Sequence, residues 1–306
     1  MQHAGNAPTP TAHPHRRRTA LLGLLGVVTL AGWAGLAAGL PAPPSVDAPA
    51  APAPARERLL VFSKTGGFRH DSIPDGIACV RELLGDRYEI DATEDAAAFT
   101  PANLLRYKAV VFLSTTGDIL DADQQKAFEG YIHLGGGFAG IHAAADTEHT
   151  WPWYGKLVGA YFKTHPNIQE ALVRVEDRTH PSTAMLPENW RRTDEWYVYK
   201  TNPRGAVKVL ANLDTSTITG ETMGKDHPIA WFHDFEGGRA WYTGGGHTKE
   251  SYREPLFRAH IKGGILWATG AETAPVAAAA AVNETPAKSA GNPSNPADSK
   301  PGSAAK

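Results

Sequence analysis

The sequence predicts an α/β domain built on a doubly wound, mostly parallel sheet that carries an antiparallel extension. Three observations lead there. Short apolar runs alternate with helix-patterned segments through the first half of the chain. The second half is richer in strand patterns. Nearly all aromatic and β-branched residues fall between about residues 58 and 270, a length that can bury one large core.

The elements follow in order. Residues 59–62 form a first strand, 73–84 a first helix and 88–92 a second strand. Thr100 before Pro101 reads as an N-cap with proline in the first helical position. Residues 109–113 (AVVFL) are a buried strand. Asp121, with Gln124 three residues on, gives a capping box for a helix running to about Leu134. Gly135, Gly136 and Gly137 end that helix, and 138–141 form the next strand. Further strands are expected at 171–176, 208–213, 229–235 and 239–243. The last two are joined as a hairpin around Glu236-Gly237-Gly238, and 256–267 form a closing amphipathic helix.

The ends are of different character. Arg16, Arg17 and Arg18 precede a mostly apolar run from 19 to 40, the pattern of an export signal or a retained N-terminal membrane anchor. Arginines ahead of that run favour a domain outside the cytoplasm. Residues 41–57 form a Pro/Ala linker, residues 58–270 the α/β domain, and residues 271–306 a low-complexity tail without aromatics, expected to be disordered.

Composition excludes several function classes. The chain of 306 residues carries 30 basic and 32 acidic side chains, scattered and with a net charge of -2, so no nucleic-acid partner is expected. A single cysteine, Cys79, allows no intramolecular disulfide and no thiolate metal cage. It lies on the apolar side of the first helix pattern, where a buried structural thiol is expected.

Ligands of parallel sheets bind beyond the carboxyl ends of the strands. The polar segments there are 63–71, 114–118, 142–146 and 244–247. Gly140-Ile141-His142-Ala143-Ala144 has the pattern of a nucleophile elbow that presents His142 where other enzymes present Ser or Cys. An imidazole there can ligate metal, move protons or orient a carbonyl, and a thiol acyl-transfer mechanism is excluded.

Several segments resemble the ThuA-like (trehalose utilisation) family: Phe68-Arg69-His70-Asp71-Ser72-Ile73, Gly140-Ile141-His142-Ala143-Ala144-Ala145-Asp146 and Trp151-Pro152-Trp153-Tyr154. So do His180-Pro181-Ser182-Thr183, Thr193-Asp194-Glu195-Trp196-Tyr197, His227-Pro228-Ile229-Ala230-Trp231 and Arg239-Ala240-Trp241-Tyr242-Thr243-Gly244. The resemblance spans about 58–270. It implies a flavodoxin-like, class I glutamine-amidotransferase-like fold without that superfamily's cysteine. It also implies a link to the utilisation of disaccharides and their keto forms. One departure is Gly245, where a bulkier residue is expected; its absence would widen the pocket mouth.

With His142, the residues His165, Asp194, Glu195 and His247 offer neutral nitrogens and carboxylates suited to a divalent metal such as Zn or Mn. The metal set read from sequence is His142, His165 and His247. His142, Glu195 and His247 are the candidate catalytic residues. Arg69, His70, Asp146, Trp153, Asp194 and Trp196 are the candidate substrate contacts, the tryptophans because sugar C–H faces pack on aromatic surfaces. Trp231, Trp241 and Trp267 are assigned to the core, and His180-Pro181 and His227-Pro228 to turns. The expected function is a sugar or keto-sugar isomerase, lyase or hydrolase working by acid–base or metal chemistry. The alternative is a non-catalytic carbohydrate-binding or scaffolding domain.

Overall fold

Five parallel strands lie side by side before the sheet turns antiparallel, and that change of direction places the polar loops. The computed structural model describes residues 55–271. The predicted export signal or anchor, most of the linker and the tail lie outside these residues. Among the described residues, no helix is long and apolar enough to cross a membrane.

In chain order the strands are β1 (Glu57–Phe62), β2 (Tyr88–Thr93), β3 (Tyr107–Leu113), β4 (Gly137–Ile141), β5 (Phe162–Thr164), β6 (Gln169–Val175), β7 (Asn189–Asp194), β8 (Val198–Tyr199), β9 (Lys208–Asp214), β10 (Pro228–Phe235) and β11 (Gly238–Thr243). The helices are α1 (Ile73–Leu84), α2 (Pro101–Leu104), α3 (Ala122–His133), α4 (Pro152–Val158) and α5 (Pro255–Ala268). The main sheet runs β2-β1-β3-β4-β11-β10-β9-β6-β7, and β5 pairs with β8 in a separate ribbon. From β2 to β11 all pairings are parallel; from β11 to β7 all are antiparallel. The antiparallel extension is thus four strands wide, larger than "mostly parallel" conveys.

Local chemistry explains the helices. Thr100 accepts a hydrogen bond from the Asn103 amide and caps α2, and Asp121 and Gln124 close the capping box of α3. The sheet is covered on both faces. Leu59, Val61, Val111 and Ala139 pack with Val80 and Leu84 of α1 and Ile261 and Ile265 of α5. Leu60, Phe62, Phe112 and Phe138 pack with Leu104 of α2, Phe128 of α3 and Leu157 of α4. Strands buried on both faces read as unbroken apolar runs, which is why AVVFL was legible.

Four elements escaped the sequence reading: α4, β5, β7 and β8. β7 (NWRRTD) alternates exposed and buried residues, but its buried set is Trp190, Arg192 and Asp194. An ion pair occupies the inward face, so polarity hides the strand period.

Cys79 is 2% exposed, and burial pushes its thiol up to about 11. An aromatic disulfide reagent at pH 8 is therefore expected to leave the native thiol unmodified and to titrate one equivalent once the protein is unfolded. Fast labelling of the native protein would contradict the buried placement.

Candidate functional site

Because four strand reversals separate β11 from β7, both strands point the same way, and their carboxyl ends lie at the edge where β1 and β4 also end. Four side chains leave that edge: His70 from the loop after β1, His142 after β4, Glu195 after β7 and His247 after β11. One ligand atom from each lies within 4.8 Å of the others.

His142 is the centre of the group. Its φ is +52°, in the left-handed region that a non-glycine residue rarely occupies. The strain of about 1–3 kcal/mol is held by its surroundings, since the Tyr242 hydroxyl donates to the His142 carbonyl at 2.9 Å. The elbow geometry expected from the glycine- and alanine-rich segment is therefore present, with an imidazole at its tip. His142 Nδ1 stands 2.9 Å from the Gly244 carbonyl, an acceptor only. Nδ1 thus carries the proton, and Nε2 turns a lone pair toward the cluster.

That lone pair meets two other imidazoles and a carboxylate. His142 Nε2 is 3.2 Å from His70 Nε2, 3.2 Å from His247 Nδ1 and 3.5 Å from Glu195 Oε2. His247 Nδ1 is 3.2 Å from the same Glu195 oxygen. Ligands at about 2.0–2.1 Å around a tetrahedral ion stand about 3.3 Å apart, so these separations fit a small divalent cation. A single imidazole lone pair facing two other ring nitrogens is otherwise a poor arrangement, because each contact needs its own proton.

The electrostatics follow from burial. Burial, then His142 and His247, lower His70 to about 3, so it is a neutral donor at pH 7. Burial alone would raise the Glu195 carboxyl, but the neighbouring His142 and His247 imidazoles outweigh it and hold it well below the usual carboxylate range. The hydrogen bond to Glu195 raises His247 against its partial burial. His70 Nδ1 is buried with no partner among the described residues.

A scaffold lies behind the cluster. Asp194 is fully buried and accepts hydrogen bonds from the amides of Gly246 and His247 at 2.8 and 3.1 Å and from the Ser251 hydroxyl at 3.1 Å. Arg192 pairs with it at 2.7 Å, and also reaches Ser251 and Glu254 at 2.9 Å each. Burial works against ionisation of Asp194, yet the Arg192 charge and these donors hold its carboxyl below its ordinary value. A Cβ at Gly245 would stand 2.7 Å from Arg192 Nη1 and 2.9 Å from Phe257. Glycine there makes room for the buried pair; it does not widen the pocket mouth, as the sequence had suggested.

In front of the cluster is a cleft of about 360 Å³ lined by Phe68, His70, Asp146, Phe162, His165, Glu195, Tyr197 and His247. Tyr197 packs on His142 at 4.3 Å between ring centroids and on Phe162 at 4.2 Å. His165 reaches Glu195 Oε1 at 3.0 Å from the cleft side.

The structure thus brings together His142, Glu195 and His247, with Asp146 and His165 on the cleft wall. It departs from the sequence reading at several residues. His70, expected on substrate hydroxyls, takes the position in the cluster that sequence gave to His165. Asp194 lies behind the site. Trp196 is 1% exposed and donates to the Gln169 carbonyl, so it belongs to the core. Trp153 packs beside Phe128 and Phe235 and donates to Glu236, and Arg69 pairs with Glu94 at the surface; neither lines the cleft. Of the aromatic walls, Phe162 was missed, and Tyr197 was passed over in favour of Trp153 and Trp196. The segment 162–165 sits in a ribbon without a strong strand pattern, so nothing local marked it as facing the site.

Comparison with known proteins agrees with the fold. The family profile of ThuA, trehalose utilisation, matches residues 58–268. A solved ThuA-like protein of Bacteroides uniformis superposes with a TM-score of 0.60 at 25% identity, over 72% of this chain and 95% of that one. One from Parabacteroides merdae gives 0.60 at 19% identity, over 72% and 92%, a likeness of fold alone. None of the curated proteins matches the chain significantly. The chain therefore belongs to the ThuA (trehalose utilisation) family, a carbohydrate-utilisation domain with the class I glutamine-amidotransferase-like fold.

Proposed function

We propose that the protein is a divalent-metal-dependent enzyme that processes a sugar or keto-sugar by proton transfer, without a covalent thiol or serine intermediate. The observation that carries this reading is the convergence of His70, His142, His247 and Glu195 at one sheet edge, with ligand atoms within 4.8 Å of one another. Three imidazoles and one carboxylate are a donor set for zinc or manganese. When bound, such an ion would polarise a carbonyl or hydroxyl oxygen of the substrate.

The chain's own residues supply the rest. The Gly244 carbonyl fixes the His142 tautomer, so Nε2 needs no deprotonation to act as a ligand. Phe162 and Tyr197 give the cleft an apolar wall for the C–H face of a sugar ring. Asp146 and His165 offer partners for its hydroxyls. No lysine or arginine lines the cleft among the described residues, which suits an uncharged sugar better than a phosphorylated one. The proposed location is outside the cytoplasm, on the strength of Arg16–Arg18 and the apolar run after them.

The test is elemental mass spectrometry on the purified full-length protein and its His142→Ala variant. About one equivalent of zinc or manganese is expected in the first and a large loss in the second. Absence of metal from both, even after reconstitution, would overturn the metal-dependent reading. Tight sugar binding without turnover would then favour a carbohydrate-binding module.

A further inference from the structure

A second constellation stands beside the histidine cluster. Asp146 lines the cleft but is not one of the four clustered groups. Its Oδ1 lies 2.8 Å from His149 Nε2, and Lys200 Nζ lies 3.0 Å from His149 Nδ1. An ammonium has donors only, so Lys200 donates to Nδ1 and the imidazole proton sits on Nε2, pointing at Asp146.

The fold holds this row in place. The His149 ring packs on Tyr161 at 4.9 Å between centroids. The Tyr161 hydroxyl shares its one proton between the carbonyls of Glu148 and Trp151, 2.8 and 2.6 Å away, tying down the turn on both sides of His149. The Lys200 amide donates to the Tyr161 carbonyl at 2.7 Å, so the end of β8 delivers its side chain to the imidazole. A surface ion pair needs none of this. Asp146 and His149 keep 30% and 28% side-chain exposure, so the carboxylate is oriented and still reachable.

We infer that Asp146 is the proton-transferring carboxylate of the cleft and that His149 and Lys200 are its positioning residues. The inference rests on the proposed function for its substrate class. With one oxygen on a fixed N–H, the other oxygen is left for substrate. On a disaccharide with a ring carbonyl two carbons from its glycosidic carbon, Asp146 takes the proton from the carbon between them. The C–H electron pair becomes a C=C bond, and the carbonyl π pair moves to its oxygen. As that carbonyl re-forms, the C=C pair shifts toward the anomeric carbon. The glycosidic oxygen leaves with its bonding pair and receives the proton from Asp146. The products are an unsaturated keto-sugar and the free second sugar, and no further reactant is consumed.

The test uses the full-length, metal-reconstituted protein with 3-ketotrehalose in D₂O, followed by proton NMR for loss of the C2 proton and release of glucose. Asp146→Asn is expected to retain metal and to lower kcat by about 10²–10⁴-fold with little change in KM. Lys200→Met should lower kcat by about tenfold, and Lys200→Arg should recover most of that loss. A ¹⁵N NMR spectrum should show His149 as the Nε2–H tautomer in the wild type and as a mixture in Lys200→Met.

A metal-loaded Asp146→Asn variant that keeps more than one-fifth of the wild-type rate would overturn the inference and leave the proposed function standing. A different His149 tautomer in the wild type would overturn the positioning role. A metal-loaded wild type that neither exchanges nor cleaves the probe would overturn both the inference and the keto-sugar reading. Exchange by a protein that binds no metal would sink the metal reading and leave Asp146 in its role.

Discussion

Replacing Arg192 with methionine is expected to cost the folded domain about 3–5 kcal/mol. Methionine keeps much of the stem's volume, but it strands Asp194, whose side chain is 0% exposed against 3% for the arginine. Water cannot reach the orphaned carboxylate, and protonating it would weaken its bonds from the Gly246 and His247 amides. The loss is therefore mostly the penalty of an unpaired buried charge. An Arg192→Met/Asp194→Asn double variant should recover part of it, because asparagine can still accept from those amides without carrying charge. Urea unfolding of the two single variants and the double gives the coupling directly; a value under about 0.5 kcal/mol would mean that the pair does not act as a unit. The same pair shapes the site, since Asp194 precedes Glu195 and its carboxylate anchors the loop carrying His247. Retention of metal by the proposed cluster should fall by about 10–100-fold in Arg192→Met.

How far the sequence reaches is clearest at this scaffold and the cluster beside it. Caps and apolar runs report local physics, so α1, α3, β3 and β4 could be placed within a few residues. The left-handed turn at His142 was legible because small residues flank a strand end. What escaped was decided by long-range contact. Arg192 and Asp194 look like an exposed charged strand until β6, α5 and the 244–247 loop close over them. Trp196 and Trp153 have the composition of a sugar platform, but partners far along the chain, Gln169 and Glu236, claim their N–H groups. His70 and His165 could not be ranked from sequence. His70 follows β1 of the main sheet and His165 follows β5 of the separate ribbon, and only their three-dimensional placement decides which of them reaches His142. His149 and Lys200, 51 residues apart, carry no local mark at all.

Acid will unfold the domain through its buried neutral histidines, among them His180 and His260. Burial lowers His180 to about 4 and His260 to about 3, against about 6.5 in an unfolded chain. Both rings share Ser182. The Ser182 amide donates to His180 Nδ1 at 3.2 Å, His260 Nδ1 donates to the Ser182 carbonyl at 2.9 Å, and Trp241 Nε1 donates to the Ser182 hydroxyl at 3.2 Å. His180 Nδ1 is therefore an acceptor, and its protonated Nε2 is buried without a partner among the described residues, between Phe232 and Trp267. Burial disfavours a charge on either ring, and for His180 it outweighs the nearby Asp177 carboxylate. Between pH 6.5 and about 4 the unfolded chain binds protons that the folded domain does not, so stability must fall as the pH falls through this window. From pH 7 to 4.5 the two sites together remove on the order of 5 kcal/mol, comparable with the whole stability of many domains. Urea midpoints measured across that range should drop steeply, with about two protons or more taken up per molecule unfolded near pH 5. A flat profile down to pH 4.5 would mean that these imidazoles titrate freely in the folded state, which their place behind Ser182 does not allow.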